Sequence, residues 1–318
     1  MSLVQEDNIG GMMSVSGTIT GVITVSTGGG GSDTLGQAMS ETGLSEYEFD
    51  DTVIHPVVVK KVTAPNATTI ADLSFSNSSI EEIEAEKVYY VGESAFDGAQ
   101  HIKKLTLGKL TAIGKYAFRD MGYIGNDIEL HIDISDIQQN DLTFRSAKLK
   151  NLTVDSLATI SGYVFYGLKA AGTISFPDAT VLENNGLYEA SCNTLLLPKV
   201  TSLPYRSLYR LKVNSNTLTL PLVTETFNES CKELDCTTLI LPSITSIGKN
   251  SFSSAKVTDL YLSGNTMCVL GDTVQNCFSN CPIYTSADAR VHVPASLEST
   301  YKADSKWSDI ASKIVGDL

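Results

Sequence analysis

The chain has 318 residues and a mass of 34.1 kDa, enough for one or two domains with a large core. Its 42% apolar residues are ordinary for a folded chain, while a formal charge of −13 and a pI near 4.7 argue against nucleic acid or an anionic membrane surface as the main partner, since both would repel it. No stretch approaches the roughly eighteen uninterrupted apolar residues of a membrane span, so no membrane insertion is expected.

In chain order, "MSLVQEDNIGG" opens a segment with no Lys or Arg before Lys60 and no apolar core, so a secretory signal peptide is not expected. "SVSGTITGVITVST" alternates small polar with β-branched residues, the pattern of an exposed strand or hairpin. Gly28 to Gly31 with Ser32 form a flexible linker. Residues 1–35 are therefore expected to be a β segment and linker, too small to fold alone and suited to docking on a structural protein of a larger assembly. Residues 36–58, with "SETGLSEYEFDD", are expected to be an acidic connector and N-terminal cap.

Residues 59–290 repeat one frame, seen most plainly in "LLLPKVTSLP" from Leu195 and "LILPSITSIG" from Leu239. Units begin at Val62, Ile83, Leu105, Leu130, Leu152, Ile174, Leu195, Leu218, Leu239 and Leu260, with a partial unit at Val291. One column holds Pro65, Pro177, Pro198, Pro221, Pro242 and Pro294, another Thr68, Thr111, Thr180, Thr201, Thr224 and Thr245. Seven of the ten phenylalanines share a third column: Phe75, Phe96, Phe118, Phe144, Phe165, Phe252 and Phe278, with Leu187, Leu208 and Cys231 as substitutes. About 22 residues cannot bury their own apolar face, so such units stack on one another. The apolar-any-apolar start has period two and makes a short strand; consecutive strands align in parallel about 4.8 Å apart, proline ends the ladder, and the Phe column becomes an interior spine.

"IKKLTLGKLTAIGKYAF" from Ile102, "LILPSITSIGKNSF" and "FSNC" resemble the leucine-rich repeats of bacterial surface antigens of the BspA type, over roughly residues 59 to 294. The resemblance implies a mainly β leucine-rich-repeat solenoid, a right-handed coil of about ten units of 21–23 residues with a parallel concave sheet, and an adhesive role. Residues 291–318 are expected to form a C-terminal cap: Val291, Val293 and Pro294 make a last strand, and Ser305 N-caps a short helix with Trp307, Ile310 and Ile314 on one face. "VPASLESTYKADSKWS" is similar to the terminal segment of many proteins of this repeat class, including ones on bacteriophage tails.

No catalytic, cofactor or metal motif is present. His55, His101, His131 and His292 are far apart and read as solvated surface histidines. Asp133 and Asp136 lack the glycine and distal glutamate of a calcium loop, and Glu81, Glu82, Glu84 and Glu86 read as a solvated acidic edge. Cys192, Cys231, Cys236, Cys268, Cys277 and Cys281 form no CxxC pair and read as buried thiols. Two features are candidates for recognition. Thr173, Thr194, Thr217, Thr219 and Thr238 with Asn193 and Asn216 form a polar ladder on the sheet, after Lys103, Lys104 and Lys150 in earlier units; plain β-propensity would place threonine there as well. Tyr166, Tyr188 and Tyr209 follow the spine residue in three successive units and should stack, with Tyr163 and Tyr205 nearby, unless the turn buries them.

The expectation is a non-enzymatic recognition protein without cofactor, binding a protein or cell-wall glycan receptor from a phage tail tip or baseplate; the alternative is a bacterial cell-surface adhesin binding host matrix or glycans. A homo-oligomer is compatible with either.

Overall fold

The computed structural model describes residues 61–318 except 124, 136 and 138–141, together with residues 13–14, 23–24 and 56–57. The linker at Gly28 to Gly31, most of the acidic connector, His55 and Asp136 lie outside the described residues. The chain divides into two compact units, 1–134 with 141–152, and 135–140 with 153–318.

Both units are parallel-strand solenoids with little helix, and strand pairing follows the frame read from the sequence. In the first unit Val62 pairs with Ile83 and Ile83 with Leu105. In the second, Ile174 pairs with Leu195, and Leu218, Leu239, Leu260 and Val291 pair in succession. These frame residues are almost fully buried, because period two turns every second side chain of the strand inward. At the N-terminal side, Ile23–Thr24 pairs in parallel with Lys61–Thr63, and Met13–Ser14 pairs antiparallel with Pro56–Val57.

The Thr-any-Ile segment does more than turn the chain. It forms a second parallel sheet, as in Ser202–Leu203, Glu225–Thr226, Ser246–Ile247 and Val269–Leu270. The Thr column is explained by hydrogen bonding along it: Thr224 Oγ1 donates to Thr201 O at 3.1 Å, and Thr245 Oγ1 to Thr224 O at 2.9 Å.

The spine is aromatic in the first unit. Phe75, Phe96, Phe118 and Phe144 stack at 5.4, 5.6 and 5.2 Å, with planes within 15° of one another. In the second unit Phe165, Leu187, Leu208, Cys231, Phe252 and Phe278 are all fully buried. Around each spine residue runs a third ladder outside any regular strand. Leu73, Phe75 and Asn77 donate their N–H groups to Glu93, Ala95 and Asp97 of the next turn, at 2.7–2.9 Å. Leu187 and Glu189 do the same to Ser207 and Tyr209. Residues two before and two after the spine take left-handed backbone, for example Leu73 (φ 59°) and Asn77 (φ 52°), or Asn185 (φ 60°) and Glu189 (φ 56°). Each such non-glycine residue costs about 1–2 kcal/mol, but it turns the N–H groups along the stack, where an unpaired buried donor would cost about 1–3 kcal/mol. Several donors per turn gain a partner, so the ladder wins.

The C-terminal cap departs from the expected helix. The α-helix is Glu298–Ala303, Ser305 caps nothing, and Ser308–Lys313 is a 3-10 turn. Ile314 is not on a helix face: Ile314–Gly316 is one more parallel strand, with Ile314 opposite Val291. Trp307 and Tyr301 are buried and satisfy both sides of one residue, Trp307 Nε1 donating to Cys268 O at 2.9 Å and Cys268 N to Tyr301 Oη at 2.7 Å. Side chains thus replace the backbone partners that a further turn would have supplied.

Candidate recognition surface

In the first unit the outward face of the main sheet is a charge zipper. Lys61 Nζ lies 3.0 Å from Glu84 and 3.5 Å from Glu82, Lys104 reaches Glu84 at 3.1 Å, and Lys103 pairs with Glu81. Lys150 bonds Glu129 at 3.0 Å and Lys109 bonds Asp133 at 3.0 Å. The hydrogen bond from Lys61 holds the Glu84 carboxyl below the usual range, and donating to Glu81 raises the Lys103 ammonium. The glutamates expected to form an acidic edge are therefore largely neutralised by lysines one turn away.

The second unit contrasts with this. Residues 171–176, 193–197, 214–220 and 237–241, the main strands of four successive turns with their approaches, contain no charged side chain. Thr173 pairs with Thr194, and Thr217 with Thr238, but in two different sheets: one ends at Thr194–Leu196 and the next begins at Thr217–Thr219. Asn193, Asn216, Thr217 and Thr219 are exposed, and Asn216 takes left-handed backbone (φ 62°).

The tyrosines line up in the expected row, in which Tyr188 and Tyr209 lie face to face with planes 16° apart, while Tyr166 is tilted by 31° on Tyr188 and Tyr163 by 56° on Tyr166. Tyr163 and Tyr166 are 6.4 Å apart, Tyr166 and Tyr188 5.3 Å, Tyr188 and Tyr209 4.7 Å. Exposure differs along it: Tyr163 is 39% and Tyr205 37% exposed, whereas Tyr209 is buried at 7%. A set of charged side chains, not foreseen from sequence, frames the rings. Tyr166 Oη donates to Glu189 at 3.0 Å and Tyr209 Oη to Glu233 at 2.8 Å. Arg206 bonds Glu229 at 2.7 Å and lies over Tyr205 and Tyr209; Arg210 bonds Glu233 at 2.8 Å and Glu189 at 3.1 Å. Burial, helped by Glu233, pushes the Tyr209 phenol up, and the bond from Arg210 lowers Glu233. Burial opposes the charge on Glu229, yet Arg206 and Lys232 keep its carboxyl below the ordinary value. Tyr166 with Glu189, Arg206 with Glu229 and Arg210 with Glu233 are each 23 residues apart, one repeat, and that spacing was the available signal.

The BspA-type leucine-rich repeat model matches in 6 copies, over residues 45–143, 68–193, 140–258 and 180–302. This chain belongs to the BspA-type leucine-rich repeat family. Among curated proteins none matches it. BspA-type repeats are interaction or adhesion scaffolds, and here the interior is given to stacking while chemistry faces outward. Among the described residues of this BspA-type protein no three His, Cys, Asp or Glu side chains are placed to hold a metal ion, and no helix is long and apolar enough to cross a membrane. All six cysteines are free and buried; burial pushes the thiols of Cys192, Cys236, Cys268 and Cys281 up to about 12, which leaves them poor nucleophiles.

His292 is not a solvated histidine. Its side chain is 13% exposed, its ring stacks on Tyr261 at 4.1 Å, and Nδ1 lies 2.9 Å from Asp317, with Asp259 3.6 Å from Nε2. The strands either side of Arg290–Val293 bring these groups to it: Tyr261 is opposite His292 in register, and Asp317 directly follows the last strand.

Proposed function

We propose that this chain is a non-enzymatic recognition protein that adheres to a receptor on a bacterial surface and is carried on a phage tail, with residues 1–35 as the docking segment. The observation that carries the recognition reading is the division of labour within each turn. Inward groups and the Thr column are used in stacking, whereas the second unit keeps a four-turn, charge-free window of outward side chains. The family resemblance supports adhesion, and the wording of the terminal segment from Val293 supports the phage carrier.

The test has two arms. Labelled full chain should sediment with intact bacterial cells and be displaced by an excess of unlabelled chain; failure to do so removes the recognition reading. Antibody raised against residues 153–318 should decorate phage tails, and deletion of residues 1–35 should abolish the decoration. Unlabelled tails, or decoration that survives the deletion, removes the carrier or the docking segment respectively.

A further inference from the structure

The second unit contains one interruption of its main sheet, and unspent polar groups gather there. Twenty-three residues separate Leu195 from Leu218, two more than separate Ile174 from Leu195. The extra length is taken up at Asn214 to Asn216, where Asn214 N bonds Cys192 O at 2.8 Å, Ser215 N bonds Asn193 O at 3.1 Å and Asn216 turns left-handed. The strand ladder breaks as a result, and the sheet ending at Thr194–Leu196 is not hydrogen-bonded to the one beginning at Thr217–Thr219.

At this step, the amides of Asn214 and Asn216 and the hydroxyls of Thr217, Thr219 and Thr238 have no partner among the described residues. The Asn193 amide makes only a 3.5 Å contact with Thr194. Elsewhere in the same unit, Thr224, Thr237, Thr245 and Thr258 all spend their hydroxyls on the carbonyl of the preceding turn. Leu196, 46% exposed, stands beside the step.

We infer that this step is a subsite for a neutral polysaccharide, an inference that rests on the recognition reading above. Side-chain amides and hydroxyls each donate and accept, which matches the paired hydroxyls of a sugar ring, and Leu196 offers an apolar surface to the C–H face of that ring. The main strands give a polyanion no counter-charge, and the exposed Lys212, two residues before Asn214, is a lone cation at the rim of the step. A polyol needs only the side chains.

The full chain is tested by affinity electrophoresis through gels containing dextran, mannan or laminarin, with hyaluronate as the anionic probe. At least one neutral polymer should retard it, hyaluronate should not, and retardation should be the same from about 50 to about 500 mM salt. The double variant Asn214→Ala with Thr219→Ala should weaken retention at least about tenfold, the effect of losing one to two ordinary hydrogen bonds. Asn216→Gly, which keeps the left-handed backbone, should weaken it with an unchanged circular dichroism spectrum. The inference is overturned if no neutral polymer retards the chain, if salt abolishes retention, or if both variants bind as the parent does. Cell sedimentation separates the two readings: a double variant that still binds cells as the parent does sinks the subsite alone, while a parent that binds no cells sinks the recognition reading.

Discussion

Removal of one ring from the middle of the spine tests the stacking argument most directly. Phe118 is fully buried between Phe96 at 5.6 Å and Phe144 at 5.2 Å, with interplanar angles of 7° and 15°. Phe118→Ala should cost about 3–5 kcal/mol for the lost apolar burial and the cavity left behind. Two stacking contacts, each about 0.5–1.5 kcal/mol, place it at the upper end of that span. Phe118→Leu should cost only about 1–2 kcal/mol, because most of the volume remains and only the ring contacts go; Leu187 and Leu208 already occupy this column. Native-state hydrogen exchange is the assay. The N–H groups of Phe96 and Phe118 bond Ala117 O and Thr143 O, at 2.8 and 3.0 Å, and report on the turns either side. At about 1.4 kcal/mol per tenfold, Phe118→Ala should speed their exchange by about a thousandfold, and Phe118→Leu by about tenfold. Since each turn draws stability from its neighbours, amides of residues 238–261 should change little. Equal effects of the two substitutions, or an equal loss of protection at residues 238–261, would refute a nearest-neighbour spine.

Other outcomes follow from the same structure. Trp307→Phe keeps a six-membered ring but loses the five-membered part of the indole with its N–H, so Cys268 O is left without its donor, at a cost of at least about 1–3 kcal/mol in urea unfolding. Gly316→Ala should destabilise the cap by about 1–3 kcal/mol, seen as an earlier thermal loss of Trp307 near-ultraviolet dichroism, because the new Cβ would sit 2.6 Å from Glu298 Oε2 and 3.0 Å from Ala295 Cα. Leu73→Gly should raise stability by a few tenths to about 1 kcal/mol: Leu73 is 61% exposed at φ 59°, so little packing is lost and the strain disappears. Buried thiols have folded pKa values raised above the unfolded value, so their contribution is complete below about pH 8.5 and is lost as pH climbs toward about 12. Each thiol then removes up to about 1.4 kcal/mol per pH unit, giving cooperative alkaline unfolding that Cys192→Ala makes shallower; a pH-independent unfolding midpoint between about pH 8.5 and 11 would contradict this. The same thiols should stay unreactive toward a disulfide reagent until denaturant is added.

The repeat and its register were legible in the letters because burial imposes them. An interior that serves every turn alike needs apolar residues at a fixed interval, so Val62, Ile83 and Leu105, or Leu218, Leu239 and Leu260, announce their own pairing, and the Phe column announces the spine. The tyrosine stack followed by the same rule, one residue further on.

What lay beyond the letters depends on backbone direction and on neighbours a whole turn away. Left-handed residues beside the spine carry types as different as Leu73, Asn185 and Glu229, so composition did not mark them; the need to aim N–H groups along the stack did. Charges that look like an acidic edge in Glu81 to Glu86 become a zipper once Lys61, Lys103 and Lys104 stand one turn above or below. Ile314 satisfied helical spacing equally well, and only the open edge beside Val291 made it a strand. Periodicity alone decides which residues go inside, since that choice is repeated in every turn, whereas outward partners, sheet breaks and caps occur once and are decided by three-dimensional neighbours.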